Sequence, residues 1–593
     1  MALLLAPAGG MDSLKAAVAA GADEIYLGGT RFSARAYAKN FTDSQLEEAG
    51  SLCREAGVRL HIALNTLVTD AELPGVLDYV RFLETSVRPD AYIVQDLGLA
   101  RLLKESYPDA VLHASTQLRQ HASAGAEILR KLGFTRVVLA REMSKEDIES
   151  YVRNSDLETE VFVHGALCVC ESGGCLMSSV IGKRSGNRGE CAQPCRLPYR
   201  GAVRYPLSLK DNCLASHLEE LSAMGVTAFK IEGRMKSPDY VYRVTSVYRT
   251  LLDEHRAPTE KELKELEDAF SRSGFTDGYY TKKTGPHMFG VRREEDKYKD
   301  KSKETTAENQ RSCVRPGRTA SVSSPLPLQL PERDPEAVLS PKEQLGYVAR
   351  LEGMIPKDLS LFSDAARIDI PLFALRKTDL SGLEDRVSAL LPRVTFDSES
   401  DALRRALEEA YARGVRRATV PNLSALSLLD GWILHGDYPL NVYNRETRKL
   451  LESFPFSSLF LSPEADPSRF APSEAAMEAL GYGRIPLMHT ETCLIRNILG
   501  SCMGSGSGKP ARCHAELVDR TGAVFPVFRA EGHRNIVYNS LPTYRLDRRK
   551  DLRKAGVGLL TLLFTTERET DMKQIVRCYR EASPRPAFPY TRR

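Results

Sequence analysis

Five cysteines lie within 28 residues of one another in the first half of this 593-residue sequence, and they form its strongest chemical signal. Five glycines are interspersed with them, which lets the backbone curl tightly around a compact ion or cluster. Soft thiolate ligands suit both zinc and iron–sulfur clusters, so the pattern predicts a metal-binding loop. The cysteines are Cys168, Cys170, Cys175, Cys191 and Cys195.

The spacing of these cysteines favours one kind of metal centre. Structural zinc commonly uses two close cysteine pairs, whereas among the four cysteines other than Cys170 only Cys191 and Cys195 form such a pair. We therefore expect a 4Fe-4S cluster, with zinc and unliganded buried thiols as the alternatives. The expected ligands are Cys168, Cys175, Cys191 and Cys195, which leaves Cys170 as a spare thiol.

A second group of metal-ligand residues occurs near the end of the sequence. Cys493, Cys502 and Cys513 are followed by His533. Three thiols and an imidazole could bind zinc or a second iron–sulfur cluster. The alternative is that His533 is simply exposed and that this group binds no metal.

The elements that must position the first loop are short β-rich runs, which alternate with amphipathic stretches through the first 250 residues. This alternation is typical of parallel βαβ units, and eight runs predict a TIM-like (β/α) barrel with an inserted cysteine loop. A further run, LSLKD at Leu207, is either a ninth strand or part of that loop. The eight runs begin at Leu3, Glu24, Arg59, Ala91, Ala110, Arg136, Glu160 and Ala228.

Polar side chains recur at the C-terminal ends of these predicted strands. In a TIM barrel that face carries the active site, whereas the alternative is that strand ends are polar because loops are polar. A network of strand-end salt bridges is a further interpretation of the ionic ones. The residues are Asn65, Gln95, Asp96, Ser115, Gln117, Arg141, Glu142, His164, Lys230, Glu232 and Arg234.

The charged and Pro/Ser-rich stretch after the barrel predicts a domain boundary. We expect a barrel over 1–290, a polar linker over 291–338 and a second α/β domain over 339–593. Strand signals return in that second half, in the segments ARIDIPLFAL, RRATVP, YPLNVYN, SLFLS, RIPLMHT and VGLLTLLF.

The second half resembles a diverged copy of the first. Cys168 follows Asp96 by 72 residues, and Cys493 follows Asn422 by 71 residues. In this alignment VLHAST corresponds to PLNVYN. The prediction is a repeat that docks substrate, and the alternative is two unrelated α/β domains.

Composition excludes several broad classes. With 42% hydrophobic and 27% charged residues, the sequence is typical of globular proteins and unlike collagen or disordered chains. No apolar run is long enough for a membrane helix, and the N-terminus lacks a signal-peptide pattern, so we expect a cytoplasmic protein without membrane contact. The net charge of +4 does not by itself predict nucleic-acid binding.

Several sequence blocks together resemble the peptidase U32 family. They extend from residue 3 to about residue 250, and the long form with a second half is similar to the branch that contains a 23S ribosomal RNA 5-hydroxycytidine synthase. Shorter members include tRNA uridine hydroxylation proteins and ubiquinone-precursor hydroxylases. The blocks are APAGGMDSLKAAVAAGADEIYLGG, FSARAYAKNFT, LHASTQ, VFVHGALCVCESGGC, RSGNRGECAQPCR, LSLKD and KIEGRMKSPDYV.

The resemblance implies a cofactor and a reaction. It implies a 4Fe-4S cluster on Cys168, Cys175, Cys191 and Cys195, and hydroxylation of a pyrimidine in RNA, ribosomal or transfer, with prephenate in place of dioxygen. In that setting His164, Glu232 and Arg141 are the expected catalytic residues. The basic residues expected to bind the carboxylates of such a donor are Arg35, Arg141, Lys210, Lys230 and Arg234.

Two other functions remain open at the level of sequence. The family name implies proteolysis, attributed to a few collagenase-like members, but the chain lacks HExxH and GxSxG motifs. His164 beside Cys168 is the candidate Cys/His pair for a peptidase. A non-catalytic RNA-binding or assembly role is the other alternative.

Overall fold

The computed structural model describes residues 2–35, 38–291, 345–380, 382–467, 475–501, 513–581 and 589–591. The chain forms two compact units. The first contains Met1–Leu326 and Met488–Val537, and the second contains Pro327–Leu487 and Tyr538–Arg593.

The first unit contains a closed barrel of eight parallel strands. The strands pair in chain order, and the last one pairs with both the first and the seventh, which closes the barrel. All eight predicted strands are therefore confirmed. They are β1 (Leu3–Pro7), β2 (Glu24–Leu27), β3 (Arg59–Leu64), β4 (Ala91–Val94), β5 (Leu112–Ala114), β6 (Phe134–Val138), β7 (Glu158–Ala166) and, after the short β8 (Asp211–Cys213), β9 (Ala228–Ile231).

The LSLKD segment is a loop rather than a barrel strand. It leads into β8, which pairs antiparallel with β7, and the two-residue β10 (Phe275–Thr276) pairs with β8 outside the barrel. The α-helices of this barrel domain are Met11–Ala19, Asp43–Ala56, Leu73–Phe82, Leu97–Ser106, Ala124–Lys131, Lys145–Arg153, Met177–Gly182, Leu218–Ala223, Pro238–Glu254 and Glu260–Ala269.

Local sequence explains where several of these helices begin. The Ser144 hydroxyl accepts a hydrogen bond from the backbone N–H of Asp147 and donates one to its carboxylate, so Ser144 caps the start of the helix 145–153. Thr42 and Gln45 form a reciprocal capping box at the helix 43–56. These caps satisfy backbone donors that the first helical turn leaves unpaired.

The interior of the first barrel contains paired charges as well as apolar side chains. Arg136, 1% exposed, contacts Glu24 at 2.6 Å and Glu160 at 3.4 Å, and the Lys230 ammonium lies 2.7 Å from Glu160. Buried charges are tolerated when they are paired in this way.

The second unit contains another closed barrel of eight parallel strands. Its strands are β11 (Gly346–Leu351), β12 (Arg367–Pro371), β13 (Val387–Leu390), β14 (Arg417–Val420), β15 (Ile433–Gly436), β16 (Phe456–Phe460), β17 (Ala476–Gly483) and, late in the chain, β23 (Val557–Phe564). The last strand pairs with β11 and with β17, which closes this barrel too. The predicted TIM-like barrel and second α/β domain are confirmed, and the structure shows that the second domain is itself a TIM-like barrel.

A four-stranded sheet lies in the chain between β17 and β23. It consists of β18 (Pro486–Thr490), β19 (His514–Val518), β20 (Val524–Arg529) and β21 (Asn535–Tyr538), and the short β22 (Thr543–Tyr544) pairs with β17. Residues 488–537 belong to the first unit, so the compact units do not follow the predicted bounds of 1–290 and 339–593. Of the predicted linker 291–338, residues 292–338 lie outside the described residues.

The remaining helices belong to this second half of the chain. In the second unit they are Leu372–Leu375, Ser400–Ala412, Arg445–Glu452, Arg549–Lys554 and Glu569–Arg580, and the helix Leu494–Leu499 follows β18. No helix in the described part of the chain is long and apolar enough to cross a membrane.

Of the predicted strands in the second half, one is corrected by the structure and another is confirmed in a different sheet. YPLNVYN forms a 3-10 turn at Tyr438–Leu440, where the fixed φ and missing N–H of Pro439 disfavour a central strand. RIPLMHT forms β18 in the four-stranded sheet rather than a barrel strand. The strand that corresponds to VLHAST is instead β15, with the sequence ILHG.

One part of the predicted repeat holds and another does not. Asp96 and Asn422 each follow the fourth strand of their barrel, and each side chain accepts a hydrogen bond from the backbone N–H three residues later. Cys168 follows the seventh barrel strand, whereas Cys493 follows β18. Cys168 and Cys493 therefore share a similar sequence spacing but do not occupy equivalent positions in the two barrels.

Candidate active and metal-binding site

An ion pair lies at the C-terminal ends of the first barrel's strands. Arg35, in the loop after β2, contacts the Glu232 carboxylate at 3.2 Å just beyond β9. Burial opposes ionisation of Glu232, but the charges of Arg35 and Arg141 hold the pKa of this carboxyl below its usual value. The carboxylate is therefore ionised at neutral pH and can accept protons.

Arg35 occupies a strained backbone conformation. Its φ of 74° lies in the left-handed region, which L-residues other than Asn and Asp rarely adopt. The Asn40 side chain donates a hydrogen bond to the Arg35 carbonyl at 3.2 Å, and this contact helps to hold the turn. Strain of this kind is typical of positions where a loop aims a functional side chain.

Arg141, immediately after β6, stands out because no hydrogen bond or ion pair joins its guanidinium to the described residues. Its Nε atom is buried without a partner, and its guanidinium carbon lies 4.1 Å from the centre of the Phe162 ring. Burial lowers the pKa of Arg141, while the charges of Glu232 and Cys168 act in the opposite direction. This guanidinium therefore lies within electrostatic reach of both the ion pair and the cysteine loop.

Two other basic residues predicted to bind substrate are held by protein groups instead. The Lys230 ammonium contacts Glu160 at 2.7 Å and lies 4.3 Å from the centre of the Tyr26 ring. Arg234 donates hydrogen bonds to Ser33 Oγ, the Ala34 carbonyl and Asn40 Oδ1 at 2.7 to 2.8 Å. Neither cation is available as it stands, and Arg234 instead holds the loop that carries Arg35.

Lys210 is half-buried, and its backbone N–H donates to the Met288 carbonyl at 2.8 Å. Within the described residues its ammonium makes no hydrogen bond or ion pair, so the structure does not bring it together with Glu232. Its expected role in substrate binding stays a prediction.

His164 does not join this group. Its ring lies against Tyr240 and Tyr248 of the helix 238–254 and against Phe275, and its Nδ1 atom is 3.2 Å from the Tyr248 hydroxyl. Burial lowers the pKa of His164 to about 3, so the ring is neutral at pH 7. Its neighbours are those of a packed core histidine, and this placement argues against the predicted proton-transfer role.

The cysteine loop gathers its thiols in a largely buried region. Burial raises the pKa of Cys168, Cys191 and Cys195, the last to about 11, and the charge of Cys175 acts in the same direction on all three. Cys170 is also buried, and its raised pKa reflects burial and a contact with Cys175. Neighbouring thiolates that repel one another need a cation to stabilise them, so this donor set fits a thiolate-bound metal group.

The four expected ligands do not converge on a single point. Among the described residues, no three His, Cys, Asp or Glu side chains are close enough together to hold one metal ion. The loop therefore gathers soft donors without forming a compact single-ion site.

The cysteine loop is fixed to the barrel mouth by contacts that the sequence did not predict. Arg188 forms a two-pronged ion pair with Glu72 at 2.6 and 2.9 Å, and the Leu67 N–H donates to the Asn187 carbonyl. Gly189 has a φ of 82°, and a Cβ there would lie 2.7 Å from the Ser33 carbonyl oxygen. Arg188 therefore serves the loop rather than forming part of a solvated basic surface.

Glu142 is a second anchor. Its carboxylate accepts hydrogen bonds from the backbone N–H and hydroxyl of Ser172 and from His121, at 2.7 to 3.0 Å. Its position after β6 was a sequence signal, but its partner Ser172 could not be identified from local pattern.

The second cysteine group is only partly described. Cys502 lies outside the described residues, whereas Cys493 accepts a hydrogen bond from the Arg496 N–H at the start of the helix 494–499. His533 is exposed. A second metal on this group stays a prediction.

Comparison with known proteins places this chain in a family. Residues 9–289 match the family described as peptidase family U32. The 23S rRNA 5-hydroxycytidine C2501 synthase of Escherichia coli is 40% identical over 260 residues, an alignment that covers 42% of this chain and 39% of that protein. The matched part of the chain thus spans well under half the length of this relative.

Two further relatives are matched over more of their length. The tRNA hydroxylation protein P1 of Bacillus subtilis is 34% identical over 294 residues, which covers 46% of this chain and 69% of that protein. A collagenase of Porphyromonas gingivalis is 33% identical over 314 residues, which covers 47% of this chain and 73% of that protein. At such identity over more than two thirds of both relatives, this chain belongs to peptidase family U32.

Proposed function

We propose that this protein is an RNA-modifying redox enzyme that hydroxylates a pyrimidine without dioxygen. The substrate that we favour is a cytidine of 23S ribosomal RNA. Relatives named for rRNA cytidine and tRNA hydroxylation support RNA hydroxylation as the reaction class.

The observation that carries this proposal is the unpaired guanidinium of Arg141. Arg141 is half-buried, and its buried Nε atom has no hydrogen-bonding partner among the described residues. Such a partly desolvated cation is costly in the free protein, and a planar carboxylate is the ligand that would pair with it best. Arg35 lies nearby through its contact with Glu232. The pair of guanidiniums suits a small dicarboxylate donor such as prephenate, with Arg141 binding one carboxylate directly.

Glu232 is the group that we assign to proton transfer. The positive charges of Arg35 and Arg141 keep its carboxylate ionised, so the carboxylate can accept a proton from the substrate. Binding of a carboxylate to either guanidinium would weaken the attraction that keeps Glu232 ionised. Donor binding would therefore raise the basicity of Glu232.

The metal group that we propose is a 4Fe-4S cluster held by Cys168, Cys175, Cys191 and Cys195. We favour a cluster over zinc because the thiols of this loop influence one another electrostatically, and because among these four cysteines only Cys191 and Cys195 are close in sequence, whereas structural zinc commonly uses two close pairs. Such a cluster would supply one-electron transfer at the barrel mouth.

Proteolysis is less well supported. The candidate Cys/His pair would need His164 to activate Cys168, but His164 contacts Tyr248 and burial raises the pKa of the Cys168 thiol. Because one relative is named a collagenase, peptide cleavage should also be assayed, but we do not propose it as a second function.

The test is mass spectrometry of nucleosides from ribosomal and transfer RNA of a deletion strain. We expect the loss of one hydroxylated pyrimidine, its restoration by the wild-type chain and failure of Arg141→Ala to restore it. Arg153→Ala is the matched control, because Arg153 is an exposed helix residue that pairs with Glu149 on the same helix. An unchanged nucleoside profile would contradict the proposal.

A further inference from the structure

Residues 488–537 are distant in sequence from the cysteine loop but belong to the same compact unit. His489 of β18 contacts the loop twice. The Glu171 N–H donates to the His489 carbonyl at 2.7 Å, and the His489 Nδ1–H donates to the Glu171 carboxylate at 3.1 Å. The two residues are 318 positions apart, and Glu171 lies between two of the expected metal ligands.

The same segment also contacts the residues that follow the last cysteine of the loop. The Asn497 side chain donates to the Pro206 carbonyl at 2.9 Å. The Arg200 N–H donates to the Val518 carbonyl at 2.7 Å, and its guanidinium donates to the Arg520 carbonyl at 3.0 Å. Contacts therefore lie within the four-cysteine stretch, at Glu171, and just after its end, at Arg200 and Pro206.

These contacts are continuous with the barrel. The Glu171 carboxylate also lies 3.6 Å from Arg119, and the adjacent Ser172 is held by Glu142. His489 and Glu171 are only 3% and 4% exposed, respectively. A hydrogen bond to a buried carboxylate is strong because water does not compete for it, and removal of the donor leaves the carboxylate unsatisfied.

We propose that the described residues of this segment, 488–501 and 513–537, form a clamp that holds the cysteine loop in its metal-binding conformation, with His489 as the principal positioning residue. The glycine-rich loop loses much conformational freedom when it is ordered, and the clamp reduces the part of that cost that metal binding must offset. The role in metal binding rests on the proposed function, whereas the ordering of the loop does not.

The test compares the full-length wild type with His489→Ala, His489→Asn and Asn497→Ala. Asn places an amide donor near the position of Nδ1, so it should rescue the contact with Glu171. His514→Ala is the matched control, because His514 is an exposed histidine of the same segment whose ring stacks on Phe528.

Two measurements are made on each protein. Hydrogen exchange of the metal-free chain reports the order of residues 168–175 and 199–205, and the rate of iron loss to a chelator reports metal retention. His489→Ala should raise exchange in 168–175 and the rate of iron loss about tenfold each, as expected for loss of a buried charged hydrogen bond. Asn497→Ala should affect 199–205, and His514→Ala should change neither.

The outcomes separate this proposal from the proposed function. Unchanged exchange and iron loss in both His489→Ala and Asn497→Ala would overturn the clamp and leave RNA hydroxylation intact. If the wild type binds no iron, the cluster assignment fails, but exchange in the metal-free protein still decides the clamp. If His489→Ala does not fold, Asn497→Ala and the His489→Asn rescue decide it.

Discussion

The two barrels share a scaffold but differ in what fills their C-terminal ends. In the first, Arg141 has no hydrogen-bonding partner among the described residues and lies near the Arg35–Glu232 pair. In the second, Arg393 contacts Glu352 with both distances at 3.1 Å, and the Tyr538 hydroxyl donates to the same carboxylate at 2.9 Å. One barrel leaves a cation ready for a ligand, whereas the other satisfies its charges internally.

Below these ends the barrels are alike. Glu160 and Glu478 are each the third residue of the seventh strand, and each accepts from a buried arginine, Arg136 or Arg367. The difference between the barrels therefore arises at the strand ends and not in the interior. Both barrels thus contain interior charge pairs, whereas the described arginine is paired at the strand ends of the second barrel and not at those of the first.

The largest expected effect separates the cysteine loop from the thiols of the second unit. Cys175→Ala should abolish the visible absorbance and bound iron of anaerobically purified protein, because it removes one of the four proposed thiolate ligands of the cluster. Cys578→Ala, which removes a buried thiol of the second unit, should leave both unchanged. Colourless wild-type protein with stoichiometric zinc would contradict the cluster assignment.

The interior charges provide a test of stability in the two barrels. Glu160→Gln should lower the free energy of unfolding by about 3–5 kcal/mol, because Lys230 and Arg136 lose a buried partner. Glu478→Gln should cost less, since Arg367 keeps Asp369 at 2.6 Å. Urea denaturation with hydrogen exchange in each barrel measures both changes. Equal losses of unfolding free energy in the two variants would contradict this interpretation of the buried charge networks.

The mouths of the barrels should respond to mutation in opposite ways. Arg141→Ala should lower RNA hydroxylation about 100-fold, equivalent to about 2.7 kcal/mol, with little change in stability. Arg393→Ala should destabilise the second barrel, because Glu352 is left without its cation, yet preserve hydroxylation per folded molecule. Activity assays corrected for the folded fraction distinguish these results. Loss of stability in Arg141→Ala together with loss of activity in Arg393→Ala would contradict the difference between the barrel mouths.

The smallest expected effect concerns pH and the Arg35–Glu232 pair. Burial raises the pKa of Glu232, but the charges of Arg35 and Arg141 lower it by more. The pKa of Glu232 is therefore lower in the folded chain than in the unfolded one. Its contribution to stability is therefore present above the unfolded pKa of about 4.3 and is lost as pH falls through the lower folded value. Since Arg35 is 38% exposed, Glu232→Gln should cost about 1 kcal/mol or less at pH 7.

Thermal unfolding between pH 3 and pH 7 (roughly the range around the carboxyl titration) provides the measurement. The difference between wild type and Glu232→Gln should shrink toward the acid end. A difference that grows as pH falls would show that this carboxyl is not held ionised by Arg35 and Arg141.

The first barrel could be predicted well because its signals are local. Apolar runs such as Leu3–Pro7 and helix caps such as Ser144 depend on only a few neighbouring residues. Eight apolar runs that alternate with helices predict a closed barrel. The cysteine loop was equally visible, since five thiols in 28 residues need no tertiary information. The second barrel was predicted less well, because a prolyl turn at Pro439 and the inserted strand β18 carry the same composition as barrel strands.

What the sequence alone determined was thus the fold class, the family and the set of chemically capable residues. Only the tertiary structure decided which of those residues are already paired. Arg234 is held by the loop near Ser33, some 200 residues away, and His489 reaches Glu171 across 318 residues. The physical reason is that secondary structure follows short-range periodicity, whereas the availability of a buried charge depends on partners that only folding brings within hydrogen-bonding distance.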